Sequence, residues 1–171
     1  AERDAVDRER AVDEAALAGL QAAAARPGVT LQTGNLPTML TALRDLTWRA
    51  HELEMTTPRV LMESVELMRI GEAEMLQHRD GIALGGTLFE LGRAVGLITH
   101  DTMADPHSIA SRQGLAMFHD LAMSAMAFGW VVSDGNDRMA QVEAGRAYVR
   151  TNLKATELGL AMQPWSQALQ E

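Results

Sequence analysis

The chain has 171 residues, which at roughly 150 residues per domain allows one domain, or one domain with an extension. A hydrophobic fraction of 47% against 22% charged residues excludes wholesale disorder, and no apolar run is long enough to read as a membrane span. A formal charge of −8 argues against a nucleic-acid partner, which needs a basic face. With Cys at 0, disulfides, thiolate nucleophiles, thiolate zinc sites and iron–sulfur clusters are excluded.

In chain order, residues 2–26 combine Ala, Glu and Arg with Val6, Val12, Ala16, Leu17 and Leu20, a weakly striped helix stopped by Pro27-Gly28. Val29 to Thr33 alternate and are rich in β-branched residues, so a short strand closed by Gly34 is expected. After Asn35 and Pro37, the residues Met39, Leu43, Leu46, Ala50 and Leu53 fall on one helical face. Thr57-Pro58 opens a third helix with Leu61, Val65 and Met68 on its buried stripe, interrupted near Gly71. His78 to Gly81 reads as a turn, followed by the apolar Ile82-Ala83-Leu84 and by Gly85-Gly86. A short helix capped by Thr87 carries Leu88, Phe89, Leu91 and Val95 and ends near Gly96. Residues 100–107 read as a loop, and Ser108 caps a helix to about Ser124. Residues 126–132 are the best strand in the chain, closed by an acidic turn that offers a helix cap. The last helix spans about Arg138 to Leu160, with Met139, Val142, Val149, Leu153 and Leu160 near one face and Pro164 beyond it. Two short strands among these helices must either pair with each other under a helical cover or find partner strands elsewhere.

Of 15 cationic residues only Lys154 is a lysine, a compositional habit with no functional reading attached. Ala1 without an initiator Met, and Leu169-Gln170-Glu171 without a stop signal, lead to the expectation of cuts at both ends of a longer chain. No charged region followed by an apolar one marks a signal peptide, and the lack of cysteine permits a reducing compartment. A cytoplasmic location is the expectation.

The standard site signatures are sparse. Glu74 and His78 stand at i, i+4 and His51 precedes Glu54 by one turn, but no HExxH motif accompanies them, so they read as chance pairs. His100-Asp101 and His119-Asp120 are neighbours whose side chains are expected to diverge. No GxSxG elbow places a serine nucleophile. Gly81, Gly85 and Gly86 do not form GxGxxG, and no GxxxxGK[ST] loop exists, so neither standard phosphate cradle is present. The eleven methionines read as core filler rather than as a binding surface. No catalytic residue and no metal ligand is assigned.

The informative stretch is the C-terminal quarter: a strand, an acidic turn, a long helix, a Gly-Leu ending and a proline-led loop. Ala144-Gly145-Arg146-Ala147, Leu153, Ala155-Thr156, Leu158-Gly159-Leu160 and Gln163-Pro164 resemble the nitroreductase family of flavin-dependent oxidoreductases. The segment from Leu160 to Ser166 is closest to its Acg-like branch, and Glu63, Arg69-Ile70-Gly71 and Asp80-Gly81-Ile82 are similar to that branch too. The resemblance is strong over 126–168, moderate over 55–100 and weak before residue 37.

That resemblance implies a helix-rich α+β fold over 1–171, with a central antiparallel sheet wrapped by helices and few of its strands in this chain. It implies a homodimer, or two fused halves, with FMN in the groove between them. The loop Gln163, Pro164, Trp165, Ser166 and Gln167 would then lie against the isoalloxazine ring. A proline-fixed loop suits that task, because flavin N5 and O4 need rigidly presented N–H donors. The family's basic phosphate motifs are missing, and Arg8-Glu9-Arg10 resembles them poorly. The expectation is therefore one wall of an FMN site, in an enzyme moving hydride from NAD(P)H through flavin to an electron-poor acceptor. A catalytically silent flavin-sequestering protein and a cofactor-free helical interaction module are the alternatives. The helix at 138–160 has a second, small-residue side, Ala147, Thr151 and Ala155, and is expected to be buried between subunits.

Overall fold

A computed structural model of the chain describes residues 10–169, and Asp13 opens its first helix. The Asp13 carboxylate accepts the Ala16 backbone N–H at 2.6 Å, so α1 runs Glu14–Ala24. Residues 10–13 are not helical, which shortens the helix expected over 2–26. Its residues 2–9, and Arg8 with them, lie outside the described residues. Pro27-Gly28 turns the chain into strand β1 (Val29–Gly34). β1 pairs antiparallel with β4 (Phe128–Ser133), with Val29 opposite Ser133 and Gly34 opposite Phe128. The two expected strands thus pair with each other.

From β4 the chain turns into α8 (Arg138–Glu157), where the Asp137 carboxylate accepts the Ala140 N–H at 2.8 Å. The two-residue period sends Val29, Leu31 and Val131 to one face of the sheet. There they meet Leu17, Leu20 and Ala24 of α1 and Ala147 and Ala155 of α8. The other face carries Trp130, 39% exposed, whose Nε1 donates to Gln32 Oε1 at 2.8 Å. Arg26 Nε donates to Glu143 Oε2 at 2.7 Å, and Arg150 Nε donates to the Ala23 carbonyl at 2.6 Å. Both contacts fix the C-terminal end of α1 against α8, where a cation suits the helix dipole.

The faces of α8 are used in an unexpected way. Ala147, Thr151 and Ala155 repeat every fourth residue and are buried, because their small side chains let α1 approach closely. Met139, Val142, Val149 and Leu153 are exposed, by 43% to 67%. The side expected to meet another subunit is therefore covered by α1 of the same chain, and the large apolar side is left open.

Contacts divide the described residues into two compact units, residues 10–45 with 124–165, and residues 46–123 with 166–169. Helix α2 (Pro37–Thr56) begins in the first and ends in the second. Its buried residues are Leu40, Thr47, Ala50 and His51, while Leu46 and Leu53 of the expected face are half exposed. In the second unit, α3 (Pro58–Leu67) starts with its proline at the first turn and buries Leu61 and Val65. Met68, expected on that helix, begins strand β2 (Met68–Ile70) instead. After α4 (Glu72–Gln77), β3 (Ile82–Leu84) pairs parallel with β2, Met68 opposite Ile82. Arg69 locks this crossover, donating from Nη2 to Asp80 Oδ1 at 3.1 Å and from Nη1 to the Glu66 carbonyl at 2.8 Å. The same guanidinium holds the Asp80 carboxyl below the usual carboxylate range.

Helix α5 (Thr87–Ala94) follows, capped at Gly86, with Leu88 and Leu91 exposed. Residues 100–107, expected as a loop, contain a helix α6 (His100–Ala104). Thr99 and Thr102 cap it reciprocally, the Thr99 hydroxyl accepting the Thr102 N–H and the Thr102 hydroxyl accepting the Thr99 N–H. Helix α7 (Ile109–Met123) is capped by Ser108 as expected, its Oγ accepting the Ser111 N–H at 3.0 Å. The core here is Leu61, Val65, Met68 and Ile70, packed by Met55, Leu84, Ile98 and Met103. The architecture is helix-rich α+β. Among the described residues no helix is long and apolar enough to cross a membrane.

Candidate functional site

The loop that follows α8 is positioned by the way the helix ends. Gly159 takes φ 69°, a left-handed conformation that costs glycine nothing. Its N–H donates to the Thr156 carbonyl at 3.1 Å, and the Leu160 N–H donates to the Ala155 carbonyl at 2.8 Å. This pair of bonds is the Schellman pattern, which closes a helix and reverses the chain. Leu158, Leu160 and Met162 then pack against the core of the first unit. A rigid anchor thus precedes the candidate loop.

Within the loop, Gln163, Pro164 and Ser166 are exposed, and Trp165 and Gln167 are half-buried. The Ser166 carbonyl accepts the Leu169 N–H at 2.9 Å, opening a short 3-10 turn over Gln167–Leu169. The Gln167 Oε1 atom is buried and accepts no hydrogen bond among the described residues. A buried amide oxygen of that kind is an acceptor waiting for a donor.

In the first unit Arg26 and Arg146 are engaged with one carboxylate. Glu143 accepts hydrogen bonds from both Arg26 and Arg146, and these hold its carboxyl below the usual range. The same bond raises the Arg26 guanidinium above its ordinary value. Arg10 lines a shallow groove of about 240 Å³ with Val12, Asp13, Leu158 and Leu160. A larger groove, about 300 Å³, lies between Leu17, Gln21, Asn35 and Met39, away from residues 163–167.

His51 Nδ1 lies 3.8 Å from Glu54 Oε2, the pair that the one-turn spacing allows, whereas the other histidines differ from the sequence pattern. Glu74 turns from His78: its Oε2 accepts the Ile70 N–H at 2.9 Å and lies 3.8 Å from His100 Nε2. His100 Nε2 is also 3.2 Å from the Met68 carbonyl. His119 and Asp120, expected to diverge, approach at 3.6 Å between Nδ1 and Oδ1. No group of three or more potential metal ligands gathers among the described residues.

One cluster has no counterpart in the motif reading. His51 is 5% exposed, and its ring centroid lies 4.5 Å from that of Phe118. Trp48 packs edge-on to His119 at 4.9 Å and lies 6.3 Å from His51. The spacing of Trp48 and His51 marks one helical face, but nothing local pairs them with Phe118 and His119. Burial pushes the His51 imidazole below its ordinary value, against the opposing pull of Glu54.

No family model matches the chain, and neither a curated protein nor a solved structure matches it.

Proposed function

We propose that this chain is one wall of an FMN-dependent oxidoreductase of the nitroreductase type. It would move hydride from NAD(P)H through the flavin to a small electron-poor acceptor. The observation that supports the reading is the helix ending at Gly159, which anchors the start of the loop from Gln163 to Gln167, the loop that the resemblance sets against the flavin ring. Flavin, when bound, supplies the hydride chemistry, and these residues orient its ring and exclude water.

The fit is to the ring alone. Arg26 and Arg146 are committed to Glu143, so the phosphate calls for basic groups from a second copy or a fused half. FMN titrated against this chain should therefore lose little of its fluorescence. Micromolar binding would place the phosphate locally, with Arg10 and its groove as the site to mutate. In the complete assembly, bands near about 370 and about 450 nm should be present and should bleach with NADPH. Bands that do not bleach favour the flavin-sequestering alternative, and their absence favours the cofactor-free module.

A second copy would dock on the open side of α8, at Met139, Val142, Val149 and Leu153. Burial of those side chains suits a two-fold homodimer interface. Sedimentation should give a dimer at micromolar concentration, and Leu153→Glu should give a folded monomer. A monomeric unaltered chain would defeat this part of the reading.

A further inference from the structure

We propose that the ring cluster of α2 and α7 is an acid-responsive latch, with His51 as the group that takes the proton. The proposal is independent of the flavin reading. His51 sits between elements as an aromatic filler, 4.5 Å from Phe118 and beside Trp48, which in turn meets His119. A neutral imidazole packs there like any ring. An imidazolium does not, since a charge in a site only 5% exposed must regain water or a counter-ion.

A counter-ion is present on one side only. Glu54 Oε2 lies 3.8 Å from His51 Nδ1, is buried, and accepts no hydrogen bond among the described residues. From α7 the facing titratable groups are His119 and Asp120, 3.6 Å apart and themselves largely exposed. Protonation therefore draws the His51 ring toward Glu54 on its own helix and away from Phe118 on the other. The ring contact between the two helices is lost by the same movement.

The direction with pH follows from burial. Burial holds His51 below its ordinary value, so the folded protein binds this proton later than the unfolded chain does. The latch is closed at neutral pH. It weakens as pH falls below about 6.5, the ordinary histidine value, and opens at the lower folded-state midpoint.

The test uses the full chain with Trp130→Phe and Trp165→Phe, leaving Trp48 as the only indole. Titration from about pH 8 to about pH 4.5 should change Trp48 emission reversibly, with a midpoint below about 6.5 and constant far-UV circular dichroism. His51→Phe should abolish the step, and His119→Gln should leave it in place. Glu54→Gln should lower the midpoint by about half a pH unit, because the favourable charge is gone. In the unaltered chain the His51 imidazole C–H resonance should titrate in the same step, a readout that survives if His51→Phe does not fold. The proposal is overturned if the step persists in His51→Phe, vanishes in His119→Gln, coincides with loss of helical signal, or passes without movement of the His51 resonance.

Discussion

Ala147→Glu is expected to unfold the first unit, at a cost of about 4 kcal/mol or more. Ala147 is 0% exposed and faces α1, with Leu17, Leu20 and Ala24 in the same cluster. A glutamate there has no room, and its carboxylate meets only methyl and methylene groups. Overpacking and an unpaired buried charge add in the same direction. The Thr151 hydroxyl, one turn on, already donates to the Ala147 carbonyl at 2.9 Å. Urea unfolding followed by circular dichroism measures the loss, and Leu153→Glu on the open side of α8 is the control. Equal midpoints for the two variants would show that the small-residue face is not packed on α1. Aggregation of Ala147→Glu is expected as well, but as a consequence of unfolding rather than of a broken dimer.

Ile70→Ala should destabilise the second unit by about 3 to 4 kcal/mol. Ile70 is 1% exposed and is the largest side chain in the molecule with almost no exposed surface among the described residues. It clusters with Leu61, Val65 and Met68, and Met55, Leu84, Ile98 and Met103 pack around them, so the walls of a cavity are held by several elements and cannot all collapse into it. The β2–β3 pair is too short to persist without that packing. The expected loss is a large share of the stability of a unit this small. A change below about 1 kcal/mol would mean that the site relaxes freely and that the core is poorly ordered.

Much of the local structure was legible in the sequence. Asp137, Ser108 and Pro58 mark helix starts, and each stands where a starting residue is used. Gly159 and Pro164 marked the end of α8, and the apolar run before Ser133 marked β4. These signals are short-range: a carboxylate two or three residues from an N–H, or a residue without a Cβ, acts whatever else the chain does. The helix α6 escaped because Thr99 and Thr102 make a capping box without the usual glutamate or glutamine. The strands β2 and β3 escaped because three residues are too few to display a period.

The candidate loop was legible as punctuation and as a resemblance, residue by residue from Gln163 to Gln167. Its anchoring was not, since that depends on where Leu158 and Leu160 find a core to pack against. The ring cluster was not read from the sequence, which paired His51 with Glu54 alone, because Phe118 and His119 are distant in the chain.

By itself the sequence determined the helix-rich class, the two strands, read at 29–33 and 126–132 and observed at 29–34 and 128–133, and the turns and caps that bound them. Which helical faces are buried was decided only in three dimensions. On α8 the periodicity of Met139, Val142, Val149 and Leu153 is as clear as any in the chain, yet these side chains are exposed. On α2, Thr47 and His51 are buried while Leu46 and Leu53 are not. The reason is physical: close approach of two helices is governed by the size of the side chains between their axes, and a small residue at every fourth position permits what leucine forbids. Hydrophobic pattern states which faces avoid water, whereas shape decides which of them the chain can cover.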